Sequence, residues 1–384
     1  KRRGLELKEA FNQTNRYERH SYWAGHGLFQ FVQVYVISNG VNTKYYANAP
    51  LKARSFKQTF YWADAKNRLI TQLAVFSELF LEPCHISKMI TKYVVLNESQ
   101  KILMVLRPYQ FYAVEAIVER VKTTTKFGYI WHTTGSGKTL TSFKAAQILT
   151  NLPQVHKVVF VVDRKDLDYQ TTKEFNSFSK GSIDGTNNTN TLVKQLTSDN
   201  KLIVTTIQKL NTAISKTRYL NKMETLKNER IVFIFDECHR SQFGKTHEDI
   251  KKFFEDCQMF GFTGTPIFEP NAGKNEYGKR TTKMLFGDCL HKYVITDAIR
   301  VEYIQTFKKK EHILDINVEA IDEAEVMNAP IRLDNITEYI IANHNRKTHS
   351  REFTALFCVS SVPVLIAYYK LLLQKKEEGE HHLK

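Results

Sequence analysis

A parallel α/β sheet covered by helices on both faces is the fold predicted for the centre of this 384-residue chain. Short apolar runs recur at 128–131, 157–162, 202–206, 231–235 and 259–263, with helical segments between them. The runs are continuous rather than alternating, as in Ile231-Val-Phe-Ile-Phe235, which suits strands buried on both faces. One run leads through a Gly-rich turn into a helical stretch at 140–150, the local order of a strand–turn–helix unit.

The flanking elements follow from the same reading. Residues 1–20 predict a helix, with Leu7, Ala10, Phe11 and Thr14 as its apolar stripe and Gln13 and Tyr17 on one face. Runs at 28–37 and 43–47, broken by Ser38-Asn39-Gly40, predict a hairpin. Residues 51–97 are mixed, with Trp62, Phe76 and Phe80 expected in the core, and the polar stretch 180–190 is expected to be a solvent loop. Between 301 and 350 the chain turns charged and helical, and a run at 354–359 predicts the first strand of a second α/β unit. The expected divisions are 1–97, 98–300 and 301–384.

Composition narrows the class. The chain carries 55 Lys and Arg against 40 Asp and Glu, a formal charge of +15, with 42% apolar and 12% aromatic residues. Disordered chains and disulfide-stapled peptides are excluded, because this apolar content can bury sizeable cores. The positive excess fits a partner made of phosphates, although a basic solvated surface would show the same balance. Five cysteines, an odd number without CxxC spacing, indicate neither a disulfide framework nor a zinc site, and a reducing cytosol is the expected setting. No apolar stretch reaches membrane-spanning length, and the opening Lys-Arg-Arg-Gly is not a signal peptide. With no initiator Met and an abrupt end, the chain is expected to be an excerpt of a larger protein.

The chemistry concentrates in two places. His132-Thr-Thr-Gly-Ser-Gly-Lys-Thr139 matches a phosphate-binding loop except that His132 stands where the general pattern has Gly. Gly135 and Gly137 let the backbone turn its N–H groups toward phosphate oxygens, Lys138 is placed to reach the β- and γ-phosphates, and Thr139 is placed to meet magnesium. Asp236-Glu237 closes a buried strand, where Asp236 is positioned as a metal ligand and Glu237 as the general base for the attacking water. A carboxylate pair after a strand also commonly begins a turn, and only its pairing with the phosphate loop favours the catalytic reading.

Thr134-Gly-Ser-Gly-Lys-Thr139, Asp236-Glu-Cys-His239 and Thr263-Gly-Thr-Pro266 in this order resemble motifs I, II and III of superfamily 2 helicases and translocases. The resemblance implies a RecA-like lobe that binds ATP and Mg²⁺ through Thr134, Gly135, Ser136, Gly137, Lys138, Thr139 and Asp236. It implies that Gln110, in Arg107-Pro-Tyr-Gln110, reads the adenine edge, and that His239, Thr263 and Thr265 couple nucleotide state to DNA. It also places Arg164, Lys165, Thr206 and Lys209 on the nucleic-acid backbone.

Longer strings at 129–139, 160–170 and 235–244 are similar to the restriction, or motor, subunit of type I restriction-modification enzymes, and the similarity includes the first 50 residues. In that family a PD-(D/E)xK nuclease domain precedes the motor. Gln13-Thr-Asn-Arg-Tyr17 resembles its Gln-x-x-x-Tyr motif, which implies that Lys1 is the catalytic lysine and that the metal-binding Asp and Glu lie upstream. Glu6-Leu7-Lys8 imitates the Glu-x-Lys pair and reads as a solvated helix face. The implied protein is an ATP-dependent translocase and endonuclease acting on double-stranded DNA with methyltransferase and specificity subunits in a bacterial or archaeal cytoplasm. A second RecA-like lobe is implied to begin near the end of the chain, and no motif VI arginine follows it here. A stand-alone superfamily 2 helicase, or a nucleotide-gated DNA-binding subunit without chemistry, would share the motor motifs.

Overall fold

The computed structural model describes residues 1–22, 28–50, 53–162, 175–176, 188–236, 238, 243–269, 274–275, 278–279, 281–300, 330–348, 357, 359 and 361–379. They fall into two compact units, 1–307 and 308–384.

The first unit opens with helix α1 (Leu7–Tyr17), which buries Leu7, Ala10 and Phe11 and continues as a π-turn to Tyr22. Residues before Leu7 are not helical, and 28–31 form a 3₁₀ turn instead of strand. The hairpin is β1 (Val34–Ser38) against β2 (Thr43–Ala47), antiparallel with Tyr35 opposite Tyr46. Short strands β3 (Trp62–Ala63) and β4 (Leu69–Ile70), helices α2 (Leu73–Phe80) and α3 (Pro83–Lys88), and the ladder of β5 (Val94–Asn97) with β6 (Ile102–Val105) follow. Trp62, Phe76 and Phe80 are all buried, as their sequence context predicts.

Helix α4 (Pro108–Thr123) leads into the sheet. Along the chain come β7 (Gly128–His132), α5 (Lys138–Leu149), β8 (Lys157–Val162), α6 (Thr189–Thr197), β9 (Leu202–Thr206), α7 (Ile207–Ser215), α8 (Thr217–Met223), β10 (Ile231–Phe235), α9 (Phe243–Phe253) and β11 (Cys257–Thr263). A two-residue ladder, β12 (Lys274–Asn275) with β13 (Gly278–Lys279), precedes α10 (Thr282–Phe286), β14 (Asp288–Tyr293) and α11 (Ile295–Arg300). The sheet order is β14-β7-β11-β10-β8-β9 and every pairing in it is parallel. Strands β8, β10 and β11 are buried at every position, which is why their sequences read as unbroken apolar runs. Strand β14 is an unpredicted edge strand: only His291 and Tyr293 of Asp288-Cys-Leu-His-Lys-Tyr293 are buried, so no apolar run marks it.

One apolar core joins the segments expected to be separate at residue 97. Tyr45, Trp62, Phe80 and Tyr93 pack in the same cluster as Phe111, Ile117, Ile130 and Phe143, and the buried Tyr45 hydroxyl donates to Leu106 O at 2.8 Å. Each large side chain buried there contributes on the order of 1.5–3 kcal/mol. The predicted loop at 180–190 lies mostly outside the described residues, and its last two residues already belong to α6.

The second unit contains helices α12 (Pro330–Lys347) and α13 (Val362–Glu377). Lys375 of α13 lies 3.2 Å from Asp334 and 3.5 Å from Glu338 of α12. The predicted strand at 354–359 falls outside the described residues apart from Phe357 and Val359, which are irregular. No described helix of either unit is long and apolar enough to cross a membrane.

Candidate nucleotide site

Parallel packing brings the carboxyl ends of β7, β10 and β11 to one edge of the sheet, where ligands of open α/β folds bind. After β7 the chain turns through Thr133 to Gly137. Ser136 N–H and Oγ both donate to Thr133 O (3.3 and 2.7 Å), and Gly135 and Gly137 take φ of +79° and +78°. Helix α5 then starts at Lys138, two residues earlier than predicted, and Thr141 N–H and Oγ1 each donate to Gly137 O at 3.1 Å. A glycine turn feeding the positive end of a twelve-residue helix is a built anion cradle.

Gln110, on the first turn of α4, is 3% exposed and fully engaged. Its Oε1 accepts from Arg107 N–H (3.0 Å), and its Nε2 donates to Ser136 O (3.1 Å) and Gly137 O (3.4 Å). Tyr109 Oη adds a second hold on Ser136 O at 2.8 Å. Gln110 therefore meets the loop itself, and an adenine edge would compete with those carbonyls. Beside it opens a cavity of about 280 Å³ lined by Gln110, Gly135–Gly137 and Leu140 on one side and by Arg54, Phe60 and Arg107 on the other. The Arg107 guanidinium lies 4.8 Å over the Phe60 ring. Arg54 and Phe60 were not singled out from sequence, because nothing in their spacing relates residues 54–60 to a loop at 135.

Asp236 directly follows β10, and its N–H donates to Val161 O at 3.1 Å. Cys238 N–H donates to Phe262 O at 3.1 Å, so the turn is pinned to the strand on either side. Strand β11, between β7 and β10, ends in the fully buried Thr263, whose Oγ1 accepts from Thr265 N–H at 3.0 Å. The next residue touches the phosphate loop: a methyl group on Gly264 would sit 3.3 Å from Thr134 Oγ1, and Gly264 O accepts from Trp131 Nε1 at 3.2 Å. The third motif thus lies beside the phosphate loop, and the strand that leads into it holds the turn after Asp236 through Phe262 O. Glu237, His239, Arg164 and Lys165 lie outside the described residues.

Thr206 and Lys209 take different parts. Thr206 is 1% exposed, and its hydroxyl caps α7 by accepting from Lys209 N–H at 3.3 Å. Lys209 stands half-buried on the first turn of that helix. In the N-terminal segment, Gln13 Nε2 donates to the Tyr17 hydroxyl one helical turn on, so the two predicted partners meet. Lys1 is exposed, and its main-chain nitrogen donates to Ser38 O at the end of β1 (2.9 Å). Glu6 and Lys8 are solvent-exposed, as expected of an outer helix face.

Residues 109–334 match the family model of the SWI2/SNF2 ATPase, and residues 1–53 match that of the type I restriction enzyme R protein N terminus. The C-terminal part of a type I restriction endonuclease subunit assigned in Mycoplasma pneumoniae, MpnIIP, is 46% identical over 50% of this chain and 99% of its own length. The chain belongs to the type I restriction enzyme endonuclease-subunit family.

Longer members of the family match nearly all of it. The SauMSSORF170P endonuclease subunit of Staphylococcus aureus (strain MSSA476) is 48% identical over 98% of the chain, and the SsaAORF53P subunit of Staphylococcus saprophyticus is 47% identical over all of it. The chain spans 41% and 42% of those two relatives. Its six-stranded sheet is accordingly the RecA-like ATPase lobe of this restriction-subunit family, a nucleotide-binding fold.

Proposed function

We propose that this chain is part of an ATP-driven double-stranded DNA translocase and endonuclease that works with methyltransferase and specificity subunits and cleaves unmethylated foreign DNA away from the recognition site. The observation that carries the reading is the contact of β11 and its Thr263–Thr265 turn with both the phosphate loop and the Asp236 turn. A change at the γ-phosphate position would reach the third motif directly through Thr134 and Gly264.

The residues present fit ATP with magnesium. The left-handed glycines leave a cradle open on its outer side, since a Cβ on Gly135 would meet nothing within 4 Å. Thr139 and Asp236 would hold the magnesium ion, which supplies neutralisation of phosphate charge when bound. Lys138 would pair with the β- and γ-phosphates, Glu237 would take the proton from the attacking water, and Gln110 with Tyr109 would fix the loop's carbonyls. Thr263, Thr265 and His239 would pass the occupancy of the site to DNA, with Arg164, Lys165 and Lys209 on the phosphate track. We further read residues 1–97 as the end of a PD-(D/E)xK nuclease domain, with Lys1 catalytic and Gln13 and Tyr17 positioning DNA or the active-site strand, and residues 301–384 as the approach to a second RecA-like lobe.

The full-length subunit, assembled with its methylation and specificity subunits, is expected to linearise an unmethylated site-bearing plasmid only when ATP is present. Lys138→Ala should abolish both ATP hydrolysis and cleavage, whereas Lys1→Ala should abolish cleavage alone. Intact plasmid despite brisk DNA-stimulated ATP hydrolysis by the wild type would remove the nuclease from this reading.

A further inference from the structure

His132 occupies the one position where the phosphate loop departs from the glycine of the general pattern. It is fully buried, and its Nε2 lies 2.9 Å from Nδ1 of His291, itself 7% exposed, on the edge strand β14. Burial pushes the His132 imidazole well below its ordinary pKa and brings His291 down to about 4, so near neutrality both rings are uncharged and one N–H donates to the other ring's lone pair. Among the described residues neither ring has another hydrogen-bond partner: the outer atoms, His132 Nδ1 and His291 Nε2, are buried and unmatched. Burying two imidazoles for a single shared bond is costly. A glycine would have avoided that cost, so the pair needs a reason.

The surroundings supply one. Thr133, the first loop residue, donates its N–H to Tyr293 O of β14 at 2.9 Å. The Tyr293 ring stacks on Tyr109 at 3.7 Å and 12°, and Tyr109 reaches across to hold Ser136 O. Tyr109 also meets the His132 ring edge-on at 5.4 Å. Two arms therefore run from β14 to the loop, one through His291 to His132 and one through Tyr293 and Tyr109 to Ser136.

We propose that His132 and His291, together with the Tyr109–Tyr293 stack, are positioning residues of the nucleotide site, bracing the phosphate loop from β14 so that its N–H groups stay set for the phosphates of a nucleoside di- or triphosphate. They touch no phosphate themselves. The brace fixes the start and the middle of the turn, leaving Gly135 to curl between two anchored points. The inference rests on the loop being a nucleotide site.

The test uses the full-length subunit and a fluorescent N-methylanthraniloyl-ADP titration. His291→Ala is expected to weaken binding about tenfold and to raise KM for ATP by a similar factor while kcat changes less than twofold. His291→Asn, whose amide can still meet His132 Nε2, should recover most of the loss. Hydrogen exchange should quicken in the Ala variant over peptides covering 128–137 and 288–294, with β8 and β10 unchanged. His291→Phe, which fills the space without ring nitrogens, repeats the comparison should the Ala variant fold poorly. Wild-type affinity in both the Ala and Phe variants would overturn the proposal, as would a loss that Asn does not restore and that is accompanied by faster exchange throughout the sheet. Lys138→Ala in parallel separates the two readings: if it abolishes binding while His291 variants bind normally, the nucleotide site stands and the brace falls.

Discussion

Gly137 and Gln110 are not independent positions. A Cβ at 137 would have to take a left-handed φ of +78° and would arrive 2.8 Å from Gln110 Nε2, the atom that holds the loop's carbonyls. Gly135 has nearly the same φ, +79°, with nothing within 4 Å of the added carbon. Gly135→Ala should therefore cost only the backbone strain, about 1–2 kcal/mol, whereas Gly137→Ala adds the displacement of Gln110. In a double-mutant cycle on nucleotide affinity, Gln110→Ala combined with Gly137→Ala is expected to be less harmful than the sum of the single changes, while Gln110→Ala with Gly135→Ala should simply add. Equal coupling in the two cycles would show that Gln110 does not hold the loop. The two glycines are legible from sequence as loop formers, but the difference between them is not, because it depends on a side chain 27 positions before Gly137.

At the scale of elements, helix α5 ties the phosphate loop to the N-terminal segment by an uncommon device. Lys144, on its buried face, is 7% exposed and donates Nζ to Val94 O (3.1 Å) and Gln147 Oε1 (2.9 Å). Burial lowers its pKa to about 8 from the 10.5 of a solvated lysine. The folded chain thus binds this proton more weakly than the unfolded chain. Its penalty is fully present below pH 8, and stability from this residue rises as the pH goes from about 8 toward 10.5. Urea unfolding at pH 7, 8, 9 and 10 should show wild type gaining on Lys144→Met above pH 8, and parallel curves would contradict the burial argument. What sequence reveals about elements follows the same logic of burial. Strands β8, β10 and β11, wrapped on both faces, announce themselves as apolar runs, whereas the edge strand β14, buried at His291 and Tyr293, does not. His132 likewise stands out in sequence only as a departure from glycine, since the residue that explains it lies 159 positions later.

Across the chain, the +15 charge and the fold have to be read together. The phosphate loop, the Asp236 turn and the β11 turn each follow an apolar run, and parallel pairing of those runs brings all three to one sheet edge. The division at residue 97 was not legible as packing, since Tyr45 and Trp62 share a core with Phe111 and Ile130. The proposed nucleic-acid contacts divide by burial. Thr206, chosen by motif as a backbone contact, spends its hydroxyl on the first turn of α7, while Lys209 on that turn is the cation that the motif assigns to a phosphate. Neutralised phosphates release counterions, so each lost cationic contact lowers the slope of log affinity against log salt by about one. For the full-length subunit on duplex DNA, Lys209→Ala is expected to lower that slope by about one and to weaken binding alike on unrelated sequences. Thr206→Val should leave the slope unchanged and cost about 1 kcal/mol of stability through the lost cap. The reverse pattern, a slope altered by Thr206→Val and indifferent to Lys209→Ala, would place the backbone track elsewhere on the lobe and leave the basic excess to a different face.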